Sequence, residues 1–258
     1  MKTKVLIIAE IGINFNGDLD TAKSLIELAK ICGADIAKFQ LYDVNRLFPD
    51  KQITTQDKNW YEMVKRTELT FEQIEILFDY CNQNQIEAMA SAFDLERLEW
   101  LERLSVKRHT VATKMNNNKE YIGAVIHTGK QVLYSRGNKD TGINWIFGED
   151  RKNCLRMDNI QFLYCVPIYP TMPNQLDLPP LFGLGSLFSG FSDHTIGIEA
   201  SLIAVARGAQ IIEKHFTLNS KSQLGPDHIC SLEPPEFATM VNYIRKFERI
   251  LMERWNNE

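Results

Sequence analysis

The stretch Gly190–Leu232, GFSDHTIGIEASLIAVARGAQIIEKHFTLNSKSQLGPDHICSL, carries the pattern that decides the fold. His194 and His215 each follow a short apolar run that is typical of a buried strand, and a helix-forming segment separates the two runs. Parallel strands of a βα repeat present their carboxyl ends to a common face, so the two imidazoles are expected to converge on one divalent cation. The segment therefore predicts a metal-assisted enzyme.

The same alternation of strand and helix extends along the whole chain. Eight apolar runs are predicted to be strands: Val5–Ile11, Ile36–Phe39, Ile86–Ala90, Thr110–Thr113, Gln131–Ser135, Ile160–Cys165, Phe188–Ser192 and Gln210–Glu213. Eight strands in 258 residues are typical of a TIM (β/α)8 barrel, here one domain over residues 1–258. A doubly wound open sheet is the alternative, although it normally has fewer strands at this length. The helices around the fifth and sixth strands are degenerate, and 138–159 contains no clean helix.

Composition excludes several classes of protein. The formal net charge is -4 and the basic residues are scattered, so no nucleic-acid partner is expected. Five cysteines without paired spacing favour a reducing, cytoplasmic location. The N-terminal apolar run ends at Glu10 without a small-residue cleavage site and is read as a strand, and no run reaches the length of a transmembrane helix. We therefore expect no membrane partner.

Polar side chains follow most of the predicted strands, where a TIM barrel collects its reactive groups. They include Glu10, Asn14, Lys38, Gln40, Ser91, Lys114, Ser135, Arg136, Tyr169, Ser192, Asp193, His194, Glu213 and His215. Glu10 and Lys38 interrupt otherwise apolar strands and need partners if they are buried. A functional role is favoured for both, and an ion pair between them is the structural alternative.

Six motifs in order resemble the N-acetylneuraminate (sialic acid) synthase family, over nearly the whole chain. They are AEIGINFNGD (Ala9–Asp18), GADIAKFQ (Gly33–Gln40), YSRG (Tyr134–Gly137), LYCVPIYPT (Leu163–Thr171), FSDHTIG (Phe191–Gly197) and EKHFTL (Glu213–Leu218). The resemblance implies condensation of phosphoenolpyruvate with N-acetylmannosamine or a related amino sugar to a nonulosonic, sialic-type acid, with release of phosphate. It also implies a divalent metal, Mn²⁺ first, with Mg²⁺ or Co²⁺ as alternatives.

The resemblance also implies roles for individual residues. His194 and His215 would be the metal ligands, and Glu10 would lie beside the metal-bound water and the sugar. Lys38 and Ser135 would hold phosphoenolpyruvate. The sugar would contact Gln40, Tyr169 and Asp227. Asn14, Lys114 and Arg136 are further substrate-binding candidates, Asp193 is a candidate for orienting a ligand histidine, and His228 is read as a loop residue.

The chain departs from the family pattern at four positions. Phe15 stands where the family has histidine, and, on a gap-free alignment, Thr110 replaces a lysine, Thr113 a serine and Pro167 an asparagine. The last three alter contacts to phosphoenolpyruvate. Each charge-assisted hydrogen bond contributes about 1.5–3 kcal/mol, so binding weakens unless Lys114, Arg108 or Arg136 substitutes.

Three alternatives stay open. The chain is a synthase, a divergent paralogue with a changed substrate, or a non-catalytic binding subunit. Most family members carry an antifreeze-like C-terminal domain that completes a partner subunit's site, so we expect a homodimer or a separate antifreeze-like chain. The sugar is N-acetylmannosamine, its phosphate or a bacillosamine-derived diamino sugar.

Overall fold

The computed structural model describes residues 4–55, 58–137 and 159–255. Its strands are β1 (Leu6–Gly12), β2 (Ile36–Leu41), β3 (Thr54–Thr55), β4 (Lys58–Asn59), β5 (Glu87–Ala92), β6 (Arg108–Val111), β7 (Gln131–Arg136), β8 (Ile160–Cys165), β9 (Phe188–Asp193) and β10 (Ile211–His215). Its α-helices are α1 (Leu19–Ile31), α2 (Val44–Leu47), α3 (Tyr61–Lys65), α4 (Phe71–Gln83), α5 (Leu95–Arg103), α6 (Lys119–His127), α7 (Glu199–Ala206) and α8 (Pro234–Trp255).

Eight of the strands form one parallel sheet that curls into a barrel. The hydrogen-bonded order is β5-β2-β1-β10-β9-β8-β7-β6, and every pair in it is parallel. The two outer strands of this order, β5 and β6, contact each other, and Arg108 of β6 binds Glu87 of β5 through Nε and Oε1 at 2.7 Å. The barrel is thus nearly closed, and the predicted (β/α)8 architecture is confirmed.

Side-chain caps fix the starts of four helices. The Asp18 carboxylate accepts backbone N–H bonds at the start of α1. Thr70 and Gln73 form a capping box at the start of α4. Asp94 and Asn118 cap α5 and α6 in the same way. These short polar side chains satisfy donors that the first turn of a helix leaves free.

Alternation along the strands divides the barrel interior into an apolar layer and a polar layer. The apolar layer is one cluster of inward-facing residues: Ile8, Ile36, Met89, Leu133, Leu163 and Ile211. Two positions further along each strand stand Glu10, Lys38, Ser91, Ser135, Cys165 and Glu213, all of which line one cavity. Because side chains alternate with period two, the same strands that build the floor also present the polar groups above it.

Two segments differ from the sequence-based expectation. The predicted strand Thr110–Thr113 begins earlier, at Arg108, and a 3-10 turn, Thr113–Met115, follows it. The stretch between β2 and α4, where no strand was predicted, contains α2, α3 and the antiparallel β3–β4 pair. Its apolar side chains bury one another in a small cluster over the barrel mouth: Ile13, Tyr42, Val44, Trp60, Tyr61 and Val64. Packing between residues that are distant in sequence stabilises these short elements. Hydrophobic periodicity in the sequence does not show that packing.

The segment 138–158 lies outside the described residues, so the expectation of a degenerate helix there stays a prediction, as does the assignment of the whole chain to one domain. None of the helices in the part of the chain that the structure describes combines the length and the apolar character needed to cross a bilayer.

Candidate active site

A cavity of about 440 Å³ opens at the carboxyl ends of the strands. Most of the predicted site residues line it: Glu10, Lys38, Gln40, Lys114, Ser135, Tyr169, His194, His215 and Asp227. Asn14 and Arg136 are not in its wall. The parallel strands therefore bring residues that are as much as 217 positions apart in sequence to one site.

A buried charge cluster forms the floor of the cavity. The Lys38 ammonium lies 3.1 Å from Glu10 Oε2 and 2.8 Å from Glu213 Oε2. Gln40 Nε2 donates to Glu10 Oε1 at 2.9 Å, and Ser192 Oγ donates to Glu213 Oε1 at 2.8 Å. Glu10 is therefore both a cavity residue and the ion-pair partner of Lys38, so the structural and functional interpretations of this pair hold together. Buried charges persist only when paired and hydrogen-bonded in this way.

Burial and mutual repulsion change the proton affinities of this cluster. Burial raises the pKa of Glu10 to about 7, Lys38 acts against that rise, and the second carboxylate, Glu213, adds to it. For Lys38, burial opposes the charge, but attraction to Glu10 and Glu213 raises the pKa of the ammonium above its usual value. The floor thus holds a permanently charged lysine beside a carboxyl that exchanges its proton near neutral pH.

The two histidines of the opening segment meet at the cavity mouth. Their ring centroids are 5.4 Å apart, which is within reach of two imidazoles that share one ion about 2 Å from each ligating nitrogen. His194 Nδ1 lies 2.7 Å from the Val166 carbonyl oxygen, so Nδ1 carries the hydrogen and donates it, which leaves Nε2 with a free lone pair. His215 Nδ1 is buried and has no hydrogen-bond partner. The Tyr169 ring lies against both, at centroid distances of 4.1 and 5.7 Å.

Both imidazoles are held in the neutral form that a metal requires. Burial lowers the pKa of His194, and burial followed by repulsion from His194 and Lys38 lowers that of His215 well below its usual value. An unpartnered buried ring nitrogen and a fixed tautomer fit a divalent ion. No group of three or more His, Cys, Asp or Glu side chains in the described ranges encloses an ion position. With two protein ligands, an ion bound here would take its remaining ligands from water or substrate.

Three polar groups surround Gly12, which ends β1 in a left-handed conformation with φ +53°. A Cβ on Gly12 would lie 3.1 Å from Gln40 Nε2, 3.2 Å from Glu10 Oε1 and 3.7 Å from Asp227 Oδ2. Burial raises the pKa of Asp227 to about 7, and its Oδ2 is 3.9 Å from His215 Nδ1. Glycine therefore keeps open a small space that these three side chains share, beside the histidine pair.

The two predicted residues outside the cavity wall have other contacts. Asn14 Nδ2 donates to the Phe216 carbonyl oxygen at 3.0 Å and to Ser231 Oγ at 2.9 Å, so it braces the segment that follows β10. Arg136 stands on the outward-facing side of β7, where its guanidinium lies 5.9 Å from the Phe162 ring centroid. The strand alternation puts Ser135 inside the barrel and its neighbour Arg136 outside.

Asp193 does not orient a ligand histidine, contrary to expectation. Its carboxylate accepts from Ser201 Oγ at 2.6 Å, from Thr195 and from the buried Lys214, whose Nζ lies 3.1 Å away. Asp193 and Lys214 are ladder partners on β9 and β10, at positions that face away from the cavity. The carbonyl of Val166 takes the orienting role for His194 instead.

His228 has a structural setting, as the sequence indicated. It lies in a 3-10 turn, with Nδ1 2.7 Å from Thr217 Oγ1 and Nε2 3.0 Å from Asn16 Oδ1. Burial lowers its pKa to about 4. The imidazole therefore ties the segment after β10 to the segment after β1 while it is neutral.

Sequence reasoning missed an apolar wall of the cavity and underrated two polar residues in its floor. The wall consists of Ile13, Tyr42, Leu47, Phe48, Ile53, Val64 and Phe93. Most of these lie between β2 and α4, and their spacing follows no helix or strand period. Glu213 and Ser192 stand two residues before His215 and His194. Period-two alternation could therefore have placed both with the histidines on the inner face.

Three of the four expected departures from the family pattern lie on the β6–β8 side. Thr110 is buried at an inward position of β6, and its hydroxyl has no hydrogen-bond partner. Thr113 and Pro167 line the cavity. Phe15 instead packs edge-on against Phe39 in the outer core, with ring centroids 6.4 Å apart.

A family model described as the NeuB family matches residues 25–255. The chain belongs to the NeuB family. The resemblance to sialic acid synthases and the assignment to that class of transferase are thereby confirmed.

Named NeuB relatives cover nearly the whole chain. The N,N'-diacetyllegionaminic acid synthase of Campylobacter jejuni is 35% identical over 96% of this chain and 78% of its own length. The human N-acetylneuraminate-9-phosphate synthase is 34% identical over 95% of this chain and 70% of its own length. The crystal structure of the sialic acid synthetase of Leptospira borgpetersenii superimposes with a TM-score of 0.84 at 31% identity, over 97% of this chain and 86% of that one.

Proposed function

We propose that this chain condenses phosphoenolpyruvate with an N-acetylated amino sugar, yields a nonulosonic acid and releases phosphate, in a cytoplasmic setting. The observation that carries the proposal is the convergence of His194 and His215, 5.4 Å apart between ring centroids, above the Glu10–Lys38–Glu213 cluster. In the proposal, a divalent ion held by these histidines would adjoin the buried Lys38 ammonium and the Glu10 carboxyl, whose pKa is raised to about 7.

The two histidines would hold the divalent metal, for which Mn²⁺ is our first expectation. When bound, a metal of this kind polarises the aldehyde oxygen of the open-chain sugar and so makes its carbon more electrophilic. The neutral state of both rings favours the ion because protons do not compete for the ring nitrogens. Val166 and Tyr169 hold the His194 ring in place before any ligand arrives.

Lys38 and Ser135 would bind phosphoenolpyruvate on the floor of the barrel. The methylene carbon of phosphoenolpyruvate forms the new bond to the aldehyde carbon, water adds to the neighbouring carbon, and phosphate leaves from it. The fixed Lys38 ammonium stabilises the negative charge of the substrate in a site that excludes bulk water.

Glu10 and Asp227 are the groups placed to hold protons. With a pKa near 7, each carboxyl is partly protonated at neutral pH and partly a base. Gln40 fixes Glu10 by donating to Oε1, so its other oxygen, Oε2, faces Lys38. In the proposal, Glu10 transfers the proton that the sugar oxygen gains or the attacking water loses, and Gln40, Tyr169 and Asp227 position the sugar.

The departures at Thr110 and Pro167 favour a second candidate, a divergent NeuB enzyme that keeps the metal pair and uses another anionic substrate. Under either candidate, a homodimer or a separate antifreeze-like chain is our proposal for what completes the site.

The test is phosphate release by manganese-loaded protein from phosphoenolpyruvate, with N-acetylmannosamine, its 6-phosphate and a diacetamido trideoxyhexose as separate acceptors. We expect release that requires metal and one of the acceptors, and calorimetric binding of phosphoenolpyruvate that Lys38→Ala abolishes. Lack of turnover with every acceptor in metal-replete protein would contradict the synthase. Tight metal binding without phosphoenolpyruvate binding would favour the divergent enzyme.

A further inference from the structure

The charges in the cavity wall do not by themselves suit a substrate with several negative charges. Three carboxyl groups, Glu10, Glu213 and Asp227, line the cavity with two ammonium groups, Lys38 and Lys114. Lys38 is already bound by Glu10 and Glu213, at 3.1 and 2.8 Å. A phosphate monoester therefore needs a cation that no carboxylate already holds.

Strand β6 does not provide that cation from inside the barrel. Its inward residue at the level of Leu133 is Thr110, a neutral side chain that is 1% exposed. The residues that continue this side of the cavity wall are Ala112, Thr113 and Lys114. Lys114 is thus the cation of β6 and its following turn that lines the cavity, because Arg108 of β6 is not in the cavity wall.

Lys114 lies at the rim of the cavity, on the 3-10 turn Thr113–Met115. Among the described residues, no carboxylate lies within 4.0 Å of its ammonium. The Lys114 Nζ lies over the Phe48 ring, 3.9 Å from its centroid. Partial burial lowers the pKa of Lys114, and attraction to the Asp50 carboxylate acts against that fall. A cation–π contact positions the charge without neutralising it.

We propose that Lys114 binds the phosphate monoester of phosphoenolpyruvate and so supplies, from the rim, the cation that β6 lacks at Thr110. This inference rests on the proposed function. It adds a specific binding residue on the turn that follows β6, outside the charge cluster of Glu10, Lys38 and Glu213. Phe48, which also lines the cavity, is the positioning residue for the ammonium.

The test compares Lys114→Met, Lys114→Arg and Phe48→Leu with a matched control, Lys119→Met. Lys119 begins α6 five residues later and lines a neighbouring cavity but not this one. For each protein we would measure the Kd for phosphoenolpyruvate without sugar, and KM for each substrate in the manganese-loaded enzyme. Thermal unfolding checks that each variant is folded.

We expect Lys114→Met to raise Kd and KM for phosphoenolpyruvate roughly 10- to 100-fold, the loss of one charge-assisted contact. KM for the sugar should stay within about twofold, Lys114→Arg should keep most of the affinity, and Phe48→Leu should have an intermediate effect. An unchanged Kd in Lys114→Met, or an effect limited to a phosphorylated sugar, overturns the inference even if the wild type is an active synthase. An inactive wild type that does not bind phosphoenolpyruvate overturns the proposed function first.

Discussion

The two sides of the cavity differ in how their polar groups are satisfied. On the side of β1, β2, β9 and β10, the carboxylates, Lys38, Gln40 and Ser192 bind one another at 2.8 to 3.1 Å. On the side of β6 to β8, the Thr110 hydroxyl has no partner and Pro167 has no N–H to give. The carboxylate–lysine cluster of the first side is therefore fixed without ligand, whereas Thr110 and Pro167 make no comparable hydrogen bond on the second side. We therefore expect anion recognition to be the part of this site that differs from the family pattern.

The largest effect should come from removing the central cation of the preorganised side. Lys38→Met leaves Glu10 and Glu213 buried without their partner, which costs about 3–5 kcal/mol of unfolding free energy. Urea denaturation at pH 7 measures this loss, and calorimetry should find no binding of phosphoenolpyruvate.

A second buried lysine provides the control. Lys214 is fully buried beside Asp193 but faces away from the cavity. Lys214→Met should destabilise the fold by a similar amount, about 3–5 kcal/mol, yet leave phosphoenolpyruvate affinity intact at low temperature. Equal loss of affinity in both variants would mean that stability, and not the cavity charge, governs binding.

The next largest effect should be the contribution of His228 to the pH dependence of the unfolding free energy. Its folded pKa of about 4 lies below its ordinary value of 6.5, so the unfolded state binds more protons and stability falls as pH drops from about 6.5 towards 4. Between pH 8 and pH 5 this one group should account for about 2 kcal/mol. His228→Gln should reduce the loss of unfolding free energy at low pH by that amount in pH-dependent denaturation. The control His127→Gln, at an exposed position, should not reduce it. An identical fall in all three proteins would refute this origin.

A smaller effect should follow from filling the space beside Gly12. Gly12→Ala should cost about 1–2 kcal/mol, because φ is +53°. Its Cβ should also raise KM for the sugar by pressing on Gln40 and Glu10. Gly129→Ala is the matched control, since φ is +71° there and no atom lies within 4 Å of the added Cβ. It should show the stability loss without a change in KM, and equal KM values in the two variants would remove Gly12 from the sugar site.

The smallest effect should appear on the side of β6. Thr110→Val replaces an unpartnered buried hydroxyl by a methyl group, so unfolding free energy should be unchanged or rise by up to about 1 kcal/mol. Thr67→Val removes a hydroxyl that donates to the Val64 carbonyl oxygen at 2.8 Å and should cost about 1–2 kcal/mol. A comparable loss in Thr110→Val would show that the Thr110 hydroxyl is bonded after all.

Alternation and strand order made the barrel and much of the site predictable. Glu10, Lys38 and Ser135 each stand two positions after an apolar residue that faces the barrel interior. Strand alternation therefore predicts that all three side chains also face the interior. The same alternation directs Ser135 inward and Arg136 outward, and it directs Lys214 away from the interior that Glu213 and His215 face.

Tertiary packing accounts for what the sequence did not reveal. The wall formed by Leu47, Phe48 and Ile53 depends on short elements that become stable only when packed over the barrel. Asp193 was misassigned because its partner Lys214 is on another strand, and only the ladder register pairs them. Long-range register of this kind is not encoded in local periodicity.

The central claim is that His194 and His215 share one divalent ion. Titration of Mn²⁺ followed by electron paramagnetic resonance, on the wild type, His194→Ala, His215→Ala and His228→Gln, tests it most directly. We expect one ion per chain in the wild type and in His228→Gln, and an affinity at least about 100-fold lower in each of the other two variants. Wild-type affinity in either His194→Ala or His215→Ala would contradict it.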